Sequence, residues 1–256
     1  MILDEIIATT WKLLEERKLN RPLADLDCAV MNQQPPIDFA AALSEPGIGL
    51  IAEIKRASPS KGPLAPDLDA TSTAITYEES GANAISVLTE TEYFKGSLAD
   101  LEAVRGSVAI PILRKDFIVD PYQIWEARAS GADAVLLIAA ALPTSDLLRL
   151  YKTVEGLAMT ALVEVHNRKE LERVLGINPK VIGINNRNLS DFSVSLETTL
   201  ELRSLIPNDK IVVSESGIHT RDDVKKLEQS GVNAILVGEA LVKSADPSLK
   251  IRELIG

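Results

Sequence analysis

The chain has 256 residues, 25% charged and 46% hydrophobic, the proportions of a globular protein whose core needs no covalent staples. The formal net charge is −10, Lys and Arg are scattered, and no long run of like charge occurs. This argues against a nucleic-acid surface and requires a locally basic pocket for any anionic ligand.

Residues 2–17 come first and read as an amphipathic helix suited to capping the fold that follows. Asp4, Glu5 and Lys12 interrupt its apolar residues, so it is not a signal peptide. No later stretch approaches the roughly eighteen apolar residues of a membrane span. Cys28 is the single cysteine. It excludes an intrachain disulfide, stands in no metal-ligand spacing and is read as inert. A cytoplasmic protein with no membrane or nucleic-acid partner is expected. Residues 1–45 are expected to be a helical extension of one domain covering 1–256.

Three later segments repeat: SGANAISVL at 80–88, SGADAVLLI at 130–138 and SGVNAILVG at 230–238. In each, Gly relieves a left-handed helix end and Asn or Asp turns the chain. The apolar run then lacks polar alternation, which predicts a strand buried on both faces. Gly81, Gly131 and Gly231 lie 50 and 100 residues apart. At about 25 to 30 residues per βα unit, these are steps of two and four units.

Similar runs predict strands near 49–54, 84–88, 109–114, 134–138, 159–165, 180–185, 210–214 and 234–238. Helices are predicted over 97–105, 121–129, 168–175, 196–204 and 220–229, with Pro121 at a helix start. The alternation is even, and no Gly-x-Gly-x-x-Gly follows the first strand. An α/β fold of the (β/α)8 TIM-barrel type is therefore predicted, in preference to a doubly wound open sheet.

In such a barrel the chemistry sits at the C-terminal strand ends. The first strand ends with Glu53 and Lys55, which period two puts on one face. Thr89 and Glu90 follow the second, and Lys115 and Asp116 end the third. Glu164 and His166 end the fifth, Asn185 and Arg187 the sixth, and Glu215, Ser216 and Gly217 the seventh. Gly238 and Glu239 follow the eighth. A buried charge needs a partner or a ligand. Glu53 alone has an alternative reading as a structural ion pair that closes the barrel. Glu53 and Lys55 together with Lys115 and Glu164 form a cluster suited to acid–base chemistry. Ser216-Gly217 and Gly238-Glu239 are small turns entering helices, in the two loops that cradle phosphate in many barrels. Glu239 is expected to turn its carboxylate away and leave only its backbone N–H to donate.

These motifs match a family. IAEIKRASPSKG (51–62) closely resembles the signature of indole-3-glycerol-phosphate synthase. LRKDFIVDPYQIWEARASGADAVLLIAA, LVEVHN, GINNRNL, SESGI and VGEAL resemble that family's strand ends in order, over about residues 45 to 245. The resemblance implies ring closure of 1-(2-carboxyphenylamino)-1-deoxyribulose 5-phosphate with loss of carbon dioxide and water, in tryptophan biosynthesis, without metal or organic cofactor.

Carried over by position, Lys115 is the general acid at the ketone oxygen. Glu53, Lys55 and Glu164 manage the remaining proton transfers, and their division of labour stays open. Asn185 and Arg187 hold hydroxyl and carboxylate groups. Ser58, Ser216, Gly217, Gly238 and Glu239 line the phosphate end. Phe117, Leu136 and Leu189, with Pro59 and Phe94, pack on the aromatic ring. Lys55 is expected to lower the Lys115 pKa as a neighbouring cation. Ala240 stands where many relatives carry Ser. The expected partner is a small phosphorylated substrate, and the expected state a monomer or weak homodimer.

Other residues have plainer readings. His166 is read as a hydrogen-bonding residue rather than a catalytic one, His219 as a capping or surface residue, and Arg56 and Lys61 as solvated. Residues 58–67 are either a static loop or a lid. The competing functions are another phosphosugar barrel enzyme, a Schiff-base aldolase using Lys115, and an idle phosphate-binding barrel.

Overall fold

The structure, a computed structural model, describes residues 2–256. Within them the unalternated apolar runs form eight parallel strands that close into a barrel in chain order. These are β1 Gly49–Ile54, β2 Ala84–Leu88, β3 Ile112–Lys115, β4 Ala134–Ile138, β5 Thr160–Val165, β6 Val181–Asn185, β7 Ile211–Glu215 and β8 Ala234–Val237. The barrel closes through β1 and β8, with Ile51 opposite Leu236. The third strand starts later than 109 because Pro111 lacks a ladder donor. Otherwise the predicted bounds differ by a residue or two.

Period two divides each strand between two cores. Leu50, Ala52, Ile85, Val87, Val135 and Leu137 face the helices. Ile51, Ala84, Leu113, Leu136, Leu162 and Val213 fill the barrel. A TIM barrel therefore needs apolar residues on both faces, and this is why its strands lack polar alternation.

The repeat's Asn and Asp do more than turn the chain. Asn83 Oδ1 accepts the Leu50 N–H, and Asn233 Oδ1 accepts the Val212 N–H. Asp133 Oδ2 accepts the Ile112 N–H. Each therefore ties the start of its own strand to the start of the strand before. Gly81, Gly131 and Gly231 have φ of 102°, 88° and 85°, as the helix ends require.

The N-terminal extension does not simply cap the barrel. Helix α1, Ile2–Asn20, crosses the rim where the strands end, with Ile2, Leu3 and Ile6 facing the central cavity. Helix α2, Leu23–Met31, descends along the helix Pro121–Ala129. Leu14 and Leu26 are fully buried there beside Tyr122 and Ala129. Burying each such leucine stabilises by about 1.5–3 kcal/mol. Helix α3, Phe39–Ala42, reaches the opposite end, where Phe39, Ala40 and Leu43 join the barrel-filling core beside the first residues of β6 and β7. The extension thus clamps both ends of the barrel. Among the described residues, no helix is long and apolar enough to cross a membrane.

Candidate active site

The inward positions change character toward the strand ends. Below them lie Ile51, Leu113, Leu162 and Val213, and at the next inward step stand Glu53, Lys115, Glu164 and Glu215. All four line one cavity of about 420 Å3 at the C-terminal mouth of the barrel. The other candidates line the same cavity: Lys55, Asn185, Ser58, Phe117, Leu136, Arg187, Leu189, Ser216, Gly217, Gly238 and Glu239.

Lys115 stands at the centre, with Nζ 3.5 Å from Glu164 Oε2 and 3.6 Å from Glu215 Oε2. Burial works against its charge, but Glu164, Glu215 and Glu53 together outweigh it and raise its pKa. The expected lowering by Lys55 does not occur. The Lys55 ammonium is instead 2.5 Å from Glu53 Oε1. Within this site each lysine is thus paired with carboxylates rather than with the other lysine.

The two carboxylates beside Lys115 diverge. Glu164 is buried, yet Lys115 and His166 hold it down at about 2. Asn185 Nδ2 also donates to Glu164 Oε2 at 3.2 Å. Glu215 is pushed up to about 8, first by burial and then by Glu164 and Glu53 beyond what Lys115 offsets. Near neutral pH the trio therefore holds an ammonium, a carboxylate and a carboxylic acid. Two carboxyl groups pushed apart in this way suit acid and base roles at one centre.

Sequence reasoning names Glu215 at a strand end but gives it no role, although period two from the inward Val213 places it in phase with Glu53 and Glu164. It also reads Lys61 and Arg56 as solvated: Lys61 is exposed but paired, and the reading of Arg56 is corrected. Arg56 donates to both oxygens of Asp100, at 2.7 and 2.8 Å. Lys61 reaches Glu239 Oε1 at 2.8 Å, and Lys243 reaches the same oxygen at 2.8 Å. Burial alone would raise Glu239, but these lysines hold it at about 2. Two cations thus offset the carboxylate that sequence reasoning found awkward beside phosphate.

Residues Ala57–Ser58 and Gly62–Pro63 pair as a short antiparallel ribbon, which the Lys61–Glu239 contact ties to the loop after β8. Thr89 and Asp116 turn out of the barrel. Arg114 is fully buried and binds both of them, along with Glu126. Glu90 accepts the backbone N–H groups of Glu92, Tyr93 and Phe94, which sets the loop carrying Phe94. Phe94 meets Phe117 with ring centroids 6.0 Å apart. His219 is exposed beside the helix Arg221–Gln229, whose cap is Thr220.

Asn186, which sequence reasoning also missed, shapes the seventh loop. Its Nδ2 donates to Ser214 Oγ and to the Ser216 carbonyl, both at 3.0 Å. Ser216 and Gly217 then turn with φ of 67° and 79°. Among the described residues, no group of three or more His, Cys, Asp or Glu is placed to hold a metal ion.

A sequence profile described as indole-3-glycerol phosphate synthase matches residues 3–254. The synthase of that name from Dehalococcoides mccartyi is 51% identical over the full length of both chains. The chain belongs to the indole-3-glycerol phosphate synthase family. A synthase of the family from Microcystis aeruginosa is 50% identical, covering 99% of this chain and 88% of its own. Among solved structures, 3-hexulose-6-phosphate synthase from Salmonella typhimurium superposes with a TM-score of 0.65 at 12% identity. It covers 81% of this chain and 96% of its own. That likeness speaks to the barrel alone.

Proposed function

We propose that the chain is a carboxy-lyase of tryptophan biosynthesis, acting in the cytoplasm. It closes the indole ring of 1-(2-carboxyphenylamino)-1-deoxyribulose 5-phosphate and releases carbon dioxide and water, leaving indole-3-glycerol phosphate. Family membership supports the reaction. The observation that carries it is Lys115, held protonated between Glu164 and Glu215 beside an aromatic wall.

The aromatic ring lies against Phe117, Leu136 and Leu189, with Phe94 and Pro59 completing the wall. Its carboxylate and the chain hydroxyls meet Arg187 and Asn185. The phosphate lies at Ser58, Ser216, Gly217, Gly238 and the backbone of Glu239. Lys115 donates to the ketone oxygen as the ring carbon attacks, so the charge that develops there meets a preset ammonium. Decarboxylation then restores an electron-rich ring, and loss of the hydroxyl needs one acid and one base. Glu53, Lys55 and Glu164 share these transfers. Ring closure forms one carbon–carbon bond and decarboxylation breaks another, and these side chains supply the proton transfers that accompany them. An amine held protonated by carboxylates is a poor Schiff-base nucleophile, which weighs against an aldolase.

The test is turnover of the substrate by metal-free protein, followed through indole fluorescence, beside Lys115→Ala. A loss of about a hundredfold or more is expected in the variant. Turnover that survives would move the acid to Lys55. Binding without turnover in the unaltered protein would overturn the reading.

A further inference from the structure

His166 lies outside the groups given a task above, yet its surroundings are built. Its side chain is only 7% exposed. Nε2 lies 3.2 Å from Glu164 Oε1, an ion pair when the imidazole is protonated. On the other side, Nδ1 is 3.1 Å from Glu170 Oε2.

Glu170 is itself immobilised. It accepts the His166 backbone N–H at 2.8 Å and Asn167 Nδ2 at 2.6 Å. Its own N–H returns to Asn167 Oδ1, the cap of the helix Arg168–Ile177. The helix start therefore fixes Glu170, Glu170 fixes the imidazole, and the imidazole faces Glu164.

Glu164 lines the central cavity, whereas His166 and Glu170 line a second cavity of about 560 Å3 beside it. The imidazole stands in the wall between the two. Lys115 is shared between Glu164 and Glu215 and is one cation for two buried carboxyl groups. Lys115 meets Glu164 at Oε2, so the second oxygen of this buried carboxylate needs a partner of its own.

Resting on the synthase reading, we propose that His166, anchored by Glu170, is a positioning residue. It holds Glu164 Oε1 from behind, so that the carboxylate stays charged and presents Oε2 to Lys115 and the substrate.

Burial disfavours charge on His166, but Glu164 and Glu170 overcome this and push it up to about 10. The imidazole is thus a fixed counter-charge and does not relay protons near neutrality. The other charged groups on its surroundings are Asp4 from α1, Arg173 from the helix Arg168–Ile177 and Arg187 from the loop after β6. Lys115 and Glu215 lie on the far side of Glu164.

The test is His166→Gln, a neutral side chain of similar reach, assayed across pH with the indole readout. The expected result is a fall in kcat of about tenfold or more, KM within about threefold, and an acidic limb displaced to higher pH. In a Glu164→Gln background the same substitution should cost no more than about twofold, because its target is gone. Glu170→Gln should shift the limb in the same direction, less far, and serves if His166→Gln does not fold. The Glu164 carboxyl resonance in 13C-glutamate-labelled protein, assigned with Glu164→Gln, should titrate at higher pH once His166 is replaced.

That last readout needs no turnover, so it separates this inference from the synthase reading. An unmoved Glu164 titration, or an equal loss in both backgrounds, would overturn the inference. Absent turnover in the unaltered protein would overturn the synthase reading instead.

Discussion

Gly238 makes room for Glu53: a Cβ on Gly238 would stand 2.4 Å from Glu53 Oε1. Gly183 does the same for Glu215, whose Oε1 would lie 2.4 Å from an added Cβ. Gly238 has φ of −125°, so space is what this glycine provides, and backbone freedom is not at issue. Each of these two inward carboxyl groups is thus matched by a missing side chain on an adjacent strand or the turn just beyond it.

Replacing Gly238 with Ala should displace Glu53 and break its contact with Lys55. Overpacking of this kind costs about 1–3 kcal/mol. Turnover should fall at least about tenfold, since the lost group acts in proton transfer. Thermal melting and the fluorescence assay read the two effects separately, and an unchanged pair would show that Glu53 has somewhere else to go.

Stability should peak in mildly acid solution and decline toward alkaline pH. Glu215 binds its proton up to about pH 8 when folded, against 4.5 as a free side chain, so its contribution is lost as pH rises between them. His166 adds a second loss between 6.5 and about 10. Glu164, lowered to about 2, destabilises the fold only as pH drops below 4.5. Calorimetric Tm against pH should show this shape, and Glu215→Gln should flatten the slope from pH 5 to 8. A Tm still rising through that window would contradict the assignment.

Asp133 explains why one copy of the repeat carries Asp where the others carry Asn. Oδ1 accepts the Ile37 N–H at 2.8 Å, while Oδ2 accepts Ile112 N–H and Arg105 Nη1. Asn has one acceptor oxygen and must abandon a partner. Asp133→Asn should destabilise by about 1 kcal/mol and Asp133→Ala by about 2–4 kcal/mol. In a domain of this size that is about 2–4 °C of Tm per kcal/mol. Because Asp133 sits at the end of the barrel away from the cavity, turnover per folded molecule at 25 °C should hold.

Ala240 lines the cavity beside Gly238 and Glu239. A hydroxyl there can donate to a phosphate oxygen, and Ala240→Ser should lower KM about three- to tenfold with kcat little changed. Steady-state kinetics check it. An unaltered KM would mean that the phosphate lies out of reach of this position.

The barrel was legible because its strands must be apolar on both faces, and that pattern survives in one dimension. Spacing and period two also led to Lys115, Glu53 and Glu164, since any inward polar residue at a strand end stands out against its apolar neighbours. Which charge meets which was not legible. Lys55 and Lys115 look like neighbours in a list of strand ends, but the barrel's curvature gives each lysine to carboxylates. Glu215 went unweighed for the same reason: its importance lies in sharing one ammonium with Glu164, a contact between residues 51 positions apart. The path of the extension, with α1 at one mouth and Phe39 plugging the other, was likewise decided by tertiary packing. Hydrophobic period depends on local geometry and is written in the sequence. Electrostatic pairing depends on distances across the barrel, and these exist only once it has closed.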